Sequence, residues 1–197
     1  MTALDIQQEL WRELGGPNQL VMPNFRPRNW WECDVLSVSK AGYWSEFEIK
    51  ISVSDFKADA KKERRHQDVY VPLTMQWVNL GSKSKHELLA SHSEHGPSFF
   101  WYVVPDSIAD KIEVPEWAGL RVATFHPARK SGDYFCADQP ERMSIVTRKK
   151  APRLHKHKID QGIVTHARGV CYWRYWNLKA DLQKSVKREL SRLEVVA

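Results

Sequence analysis

Residues 3–14, ALDIQQELWREL, place Leu4, Ile6, Leu10, Trp11 and Leu14 at spacings that mostly fit one helical face, and Gly15-Gly16-Pro17 ends the run. The pattern predicts a first helix. NQLVMPNF, residues 18–25, reads as a short strand that Pro23 confines to an edge or breaks. From residue 33 the period changes to two. Residues 33–38 and 44–53 are the strongest strand candidates, because Phe47, Ile49, Ile51 and Val53 alternate with Glu46, Glu48, Lys50 and Ser52. Ser54 can cap a following helix over DFKADAKKERRH, whose acids come first and bases last, as the helix dipole favours.

Between 68 and 98 the text mixes Pro72, Gly81 and the polar GSKSKHELLASHSEHGP, and reads as an insertion carrying a short helix. FFWYVVP, residues 99–105, is apolar throughout and suits a strand buried on both faces. A helical turn at DSIADKI and strands at LRVATF and MSIVTR follow. Beyond Pro152 the chain reads as largely helical, with a long last helix over RGVCYWRYWNLKADLQKSVKRELSRLE. The order gives a mixed α/β architecture, and 197 residues are enough for a single domain with a proper core. Residues 3–105 form the expected core, with the insertion at 68–98, and residues 106–197 an elaboration.

Composition narrows the function class. A hydrophobic share of 42% and a charged share of 27% are those of a globular protein, and no run supplies the eighteen apolar residues of a membrane span. The first residues lack the basic and apolar segments of a signal peptide, so a cytoplasmic protein without a membrane partner is expected. Cys33, Cys136 and Cys171 are odd in number and unpaired by motif, which predicts reduced thiols rather than disulfides or a cysteine zinc site. The net charge of +6 and pI near 9.2 favour a polyanionic partner.

The hairpin at residues 31–52, WECDVLSVSKAGYWSEFEIKIS, carries the chemistry. If Lys40-Ala41-Gly42 is a three-residue loop with Gly42 left-handed, pairing is symmetric about Ala41 and sets Asp34 opposite Glu48. Opposed residues share a face with Cβ atoms about 4.5–5.5 Å apart, where two like charges call for a cation between them. Lys50 shares that face by the period-two rule, while Phe47, Ile49 and Ile51 point into the core. Paired carboxylates with few other ligands suit Mg²⁺, and a neighbouring lysine can orient or deprotonate a water and offset phosphate charge. That is chemistry for phosphodiester hydrolysis. The plain alternative is a chance Glu-x-Lys triplet on an outer hairpin face. The triplets Asp55-Phe56-Lys57 and Asp59-Ala60-Lys61 fall in the helical segment, where i and i+2 do not face each other.

These residues resemble the PD-(D/E)XK nuclease superfamily, whose Asp, spacer and Glu-x-Lys hairpin is similar to ECDVLSVSKAGYWSEFEIKIS. VSDFKADAKK looks like the helix that follows in bacterial and phage members. The resemblance runs over residues 3–105 and implies a restriction-endonuclease-like core, an α-β-β-β-α-β mixed sheet flanked by helices, with added C-terminal strands and helices. It implies a Mg²⁺-dependent deoxyribonuclease, with Mn²⁺ as a substitute metal, an endonuclease most in keeping with the family, and leaves room for a homodimer. Asp34 and Glu48 would hold the metal with the Ile49 carbonyl, and Lys50 would serve the attacking water. An acid on the first helix often supports such sites; Glu9 is preferred to Glu13, being one turn further from the helix end. Cys33 stands where the family name has proline.

Other basic residues are candidates for nucleic-acid contact. Residues 147–158 gather Arg148, Lys149, Lys150, Arg153, Lys156 and Lys158, a track for phosphates or a solvated loop. Arg26 and Arg28 precede the hairpin, and Lys57, Lys61, Lys62, Arg64 and Arg65 line the second helix or simply its exposed face. His92-x-x-His95 has zinc spacing but no third ligand, so surface histidines are expected. CYWRYW, residues 171–176, puts four aromatics on a helix, where packing across the sheet is expected over base stacking. The rival to a nuclease is a nucleic-acid-binding or assembly module that keeps the fold without turnover; a metal-dependent ribonuclease is a third reading.

Overall fold

Thr2 opens the first helix with a capping box: its hydroxyl accepts from the Asp5 N–H and the Asp5 carboxylate accepts from the Thr2 N–H. The computed structural model describes residues 1–61, 65–71, 76–129 and 140–196, with 65–71, 76–80 and 189–196 described by backbone alone. It has helix α1 (Ala3–Gly15), strands β1 (Asn18–Phe25), β2 (Cys33–Ser39) and β3 (Trp44–Ile49), and helix α2 (Val53–Asp59). Strands β4 (Arg65–Val71) and β5 (Gln76–Lys83), helix α3 (Lys85–Ala90), strand β6 (Phe99–Pro105) and helix α4 (Asp106–Ala109) follow. Strands β7 (Gly119–His126) and β8 (Arg142–Lys149) precede helix α5 (Gln161–Val196).

One sheet has the order β1-β2-β3-β6-β7-β8, and a second joins β4 to β5. In the large sheet β2 runs antiparallel to both β1 and β3, β3, β6 and β7 run parallel, and β8 returns antiparallel to β7. This is a six-stranded mixed sheet flanked by helices. β1 occupies an edge, where Pro23 removes no needed donor. The apolar run of β6 lies inside the sheet, as a strand buried on both faces should.

The hairpin register has the predicted centre. Val35 pairs Phe47, Leu36 pairs Glu46, Ser37 pairs Ser45 and Val38 pairs Trp44, all symmetric about Ala41. Gly42 closes the loop at φ +84°, which a side chain would strain, while its N–H donates to the Ser39 carbonyl at 2.9 Å. One face of the sheet packs on α1 through Ile6, Leu10, Val35, Phe47, Ile49, Val103 and Ala123.

Three expectations need correction. β3 stops at Ile49 rather than 53, because the Ser52 hydroxyl caps α2 by accepting from the Asp55 N–H, and Ile51 is exposed instead of entering the core. α2 ends at Asp59, and Arg65 already belongs to β4, so the helix is shorter than its charge pattern suggested. The insertion holds a β-hairpin before its short helix, because residues 76–83 pair back on 65–71.

The chain divides into two compact units, Met1–Ile159 and Asp160–Ala197, the second consisting largely of α5. Residues 150–160 carry no helix, so the last helix begins well beyond Pro152. Cys33 is buried and Cys171 exposed; Cys136 lies outside the described residues. Among the described residues no helix is long and apolar enough to cross a membrane.

Candidate functional site

Period-two alternation aims Glu46 and Glu48 from β3 away from α1, onto the sheet face opposite Phe47 and Ile49. Parallel pairing then sets Phe100 beside Glu46 and Tyr102 beside Glu48. This face is covered too. Glu46 is fully buried, Glu48 is 2% exposed and Lys50 5%, and their charges are met by side chains from α2, α3 and the segment between β1 and β2.

From α3, Lys85 inserts its ammonium between the two glutamates, 2.8 Å from Glu48 Oε2 and in contact with Glu46 Oε1, with no exposed surface of its own. The other oxygen of Glu46 accepts from the Trp30 indole N–H at 2.7 Å. Lys50, just past β3, lies 2.8 Å from Glu48 Oε1 and 3.0 Å from Oδ1 of Asp59, the buried last residue of α2. Asp59 Oδ2 accepts from the Tyr102 hydroxyl at 2.9 Å and meets His86 Nε2 at 2.8 Å. His86, on α3, is 22% exposed and links the buried chain of charges to its rim.

The protonation of these groups follows from burial against charge. Burial pulls both lysines toward their neutral form, yet Glu48 and Asp59 outweigh it for Lys50, and Glu46 and Glu48 for Lys85, so both are held above the ordinary lysine range. Burial raises the Glu46 carboxyl above the usual carboxylate value, against the pull of Lys85. Burial and then Asp59 raise the Tyr102 phenol, and burial and then Glu46 raise the Cys33 thiol. Three carboxylates therefore share two ammonium groups, with neutral donors from Trp30 and Tyr102 completing their contacts.

Asp34 takes a position the register alone did not reveal. The backbone ladder between β2 and β3 ends at Val35 and Phe47; beyond it Asp34 Oδ2 accepts from the Ile49 N–H at 2.7 Å, replacing a main-chain acceptor. Asp34 and Glu48 thus flank the Glu48–Ile49 peptide, one bonding its N–H and the other projecting from its Cα. Gln7 of α1 holds the Asp34 carbonyl at 2.7 Å. Glu9 does not face this place. Two residues along a helix is a rotation of about 200°, and Glu9 pairs with Arg12 at 2.7 Å in an open cleft lined also by Asp5, Phe125, Arg142 and Met143. Glu13 pairs with Arg121.

The candidate phosphate contacts are dispersed in their bonding. Arg26, Arg28, Lys57, Lys61, Lys150, Arg153 and Lys156 are exposed; Arg153 also lies 4.0 Å over the Tyr43 ring. Lys149 is half-buried, and its ammonium serves the carbonyls of Val114 at 3.1 Å and Pro115 at 2.6 Å, which ties it to a loop. Lys62 and Arg64 lie outside the described residues, and of Arg65 the backbone alone is described. His92 and His95 are exposed, and among the described residues no group of three or more His, Cys, Asp and Glu is arranged to hold a metal ion.

The sequence pattern does not single out Glu46, Asp59, Lys85, His86, Tyr102 and Trp30 as members of this site. Glu46 is two residues before Glu48 and so visibly on the same face. Asp59 is one helical turn beyond Asp55. Ser84 and Glu87 spell the capping box that the structure contains, which places Lys85 at a helix start, but nothing local says that its ammonium crosses to β3.

No protein-family model and no curated protein matches the chain. Among solved structures, an SPO1766 protein of unknown function from Silicibacter pomeroyi is similar, with a TM-score of 0.52 and 15% identity over 90% of this chain and 88% of that one. At that identity the likeness speaks for the fold alone, and it extends over nearly the whole chain.

Proposed function

We propose that the protein is a metal-dependent nuclease that hydrolyses phosphodiester bonds, of DNA in the first instance, at Asp34, Glu48 and Lys50. One observation carries the reading: two carboxylates flank a single peptide bond at the end of β3, and a lysine ammonium stands 2.8 Å from one of them. Mg²⁺, or Mn²⁺ in its place, would rest on Asp34, Glu48 and the Ile49 carbonyl, hard oxygen donors of the lean kind Mg²⁺ uses while keeping waters. The donors fit on one further count. Lys50 has Asp59 at 3.0 Å as a second partner, so it does not depend on Glu48 alone, and Lys85 keeps the other Glu48 oxygen. Bound there, the ion would supply an activated water and offset charge on the phosphate. Lys50 orients that water and adds a positive charge beside the scissile group; Lys85 fixes the Glu48 carboxylate.

A second reading is favoured by the burial itself. Both oxygens of Glu48 are taken by lysines and its side chain is 3% exposed, which suits a nucleic-acid-binding or assembly module that retains the charges for its core. The test is a divalent-metal panel against single-stranded, double-stranded and branched DNA and RNA. Cleavage with Mg²⁺ or Mn²⁺ that EDTA stops and Lys50→Ala abolishes, with nucleic-acid affinity kept, supports the nuclease. Cleavage of RNA alone would make it a ribonuclease. Binding with no cleavage under any metal supports the module, and cleavage that survives EDTA overturns the metal mechanism.

A further inference from the structure

Helix α5 carries aromatic rings that its own fold leaves uncovered. Packing across the sheet was expected for residues 171–176, but Tyr172 is 57% exposed, Trp173 65%, Tyr175 58% and Trp176 43%. The rings meet one another edge-on, at 5.6 Å for Tyr172 and Trp173, 6.1 Å for Tyr172 and Trp176, and 5.5 Å for Tyr175 and Trp176, so no closed parallel stack uses up their faces.

The charge around them is one-sided. Residues 161–188 contain Arg168, Arg174, Lys179, Lys184, Lys187 and Arg188 against the single acid Asp181. At about 100° per residue, Arg168, Tyr172, Tyr175, Trp176 and Lys179 share one face of the helix. The Lys179 ammonium lies 4.8 Å from the centre of the Trp176 ring.

We infer that this face of α5 binds single-stranded nucleic acid, stacking unpaired bases on Tyr172, Tyr175 and Trp176 while Arg168 and Lys179 take the phosphates. Unpaired bases offer π-faces that any aromatic can stack on, and basic residues interleaved with the rings track the backbone beside them. Two other occupants fit less well. A second copy of the helix, meeting it along Tyr175, Leu178, Leu182 and Val186, would bring the same positive excess against itself. A membrane surface takes helices whose basic and apolar faces are segregated, whereas here Arg168 and Lys179 share the aromatic face. The inference goes beyond the nuclease proposal: it needs no metal and no turnover.

The experiment uses the full chain in EDTA, titrated against a fluorescein-labelled oligo(dT), with anisotropy and intrinsic tryptophan fluorescence as readouts. Wild type should bind and its tryptophan emission should be quenched. Tyr172→Ala with Trp176→Ala should weaken binding on the order of tenfold or more, and Trp176→Phe alone should retain most of it. Lys179→Gln should lower the slope of log affinity against log salt by roughly one. Unaltered affinity in both aromatic variants, their melting temperatures matching wild type, overturns the inference. So does a wild-type dimer in sedimentation that the double variant dissolves while oligo(dT) goes unbound, or co-sedimentation with anionic vesicles without oligo(dT) binding. Reading binding in EDTA keeps the two proposals apart, since a metal-dependent cleavage does not run there and either proposal can fail without the other.

Discussion

The two faces of β3 are buried to nearly the same degree by opposite chemistry. Toward α1, Phe47 and Ile49 pack among Ile6, Leu10, Val35, Val103 and Ala123. Toward α3, Glu46 and Glu48 reach the same low exposure only because Lys50, Lys85 and Trp30 meet their oxygens. Apolar contact is non-directional and tolerates many partners, so the first face needs only the right period and size. The second needs particular atoms at particular distances, delivered by elements far apart in the chain, and each missing partner leaves a charge stranded in a dry interior.

The largest expected effect tests that dependence. Lys85→Met removes a fully buried cation shared by two carboxylates and should cost about 3–5 kcal/mol in denaturant unfolding. A loss under about 1 kcal/mol would mean that the charged face is no more demanding than the apolar one. Adding Glu46→Gln to Lys85→Met removes one of the stranded charges and should recover part of the loss. If the lysine acted only by filling space, the second change would recover nothing.

A smaller effect comes with pH. Lys50, Lys85 and Tyr102 all hold their protons more tightly in the folded chain than in the unfolded one, where the ordinary values are 10.5 for lysine and 10.0 for tyrosine. A raised folded pKa gives stability that is whole below the unfolded value and is lost as pH rises toward the folded one. These groups therefore leave stability flat between pH 7 and the unfolded values, then withdraw up to about 1.4 kcal/mol per pH unit each. Unfolding midpoints measured across the alkaline range should fall more gently in Tyr102→Phe than in wild type. Equal slopes would show that the phenol is not held protonated by Asp59 and its surroundings.

The same contrast decides what could be read from the sequence. The α1 helix, the hairpin centre at Ala41, the chain order of the six strands of the large sheet and the division of β3 into two faces all follow from local period and from one glycine. Lys50 beside Glu48 follows from the same rule. Lys85 does not, because it lies 37 residues from Glu48 and its pairing depends on the path of the chain between. Asp59 and Lys61 do not face each other on a helix, so the triplet hides Asp59, whose partners include Lys50 behind it, Tyr102 on β6 and His86 on α3. Distance from the helix end favours Glu9, but the angle around the helix governs, and Gln7 of α1 donates to the Asp34 carbonyl.

The smallest predicted effect belongs to the apolar face. Ile49→Val removes one methylene from a side chain 5% exposed, and Val keeps both the β-branching that suits a strand and the N–H that Asp34 accepts from. The loss should be about 0.5–1.5 kcal/mol in chemical unfolding, with no change in how stability falls above pH 10, since no titrating group is touched. A loss of several kcal/mol, or an altered alkaline slope, would mean that the two faces are mechanically coupled through β3 and that Ile49 helps to set the geometry of Glu48 and Asp34. The expected small and pH-independent loss would instead leave the charged face answerable to its own partners.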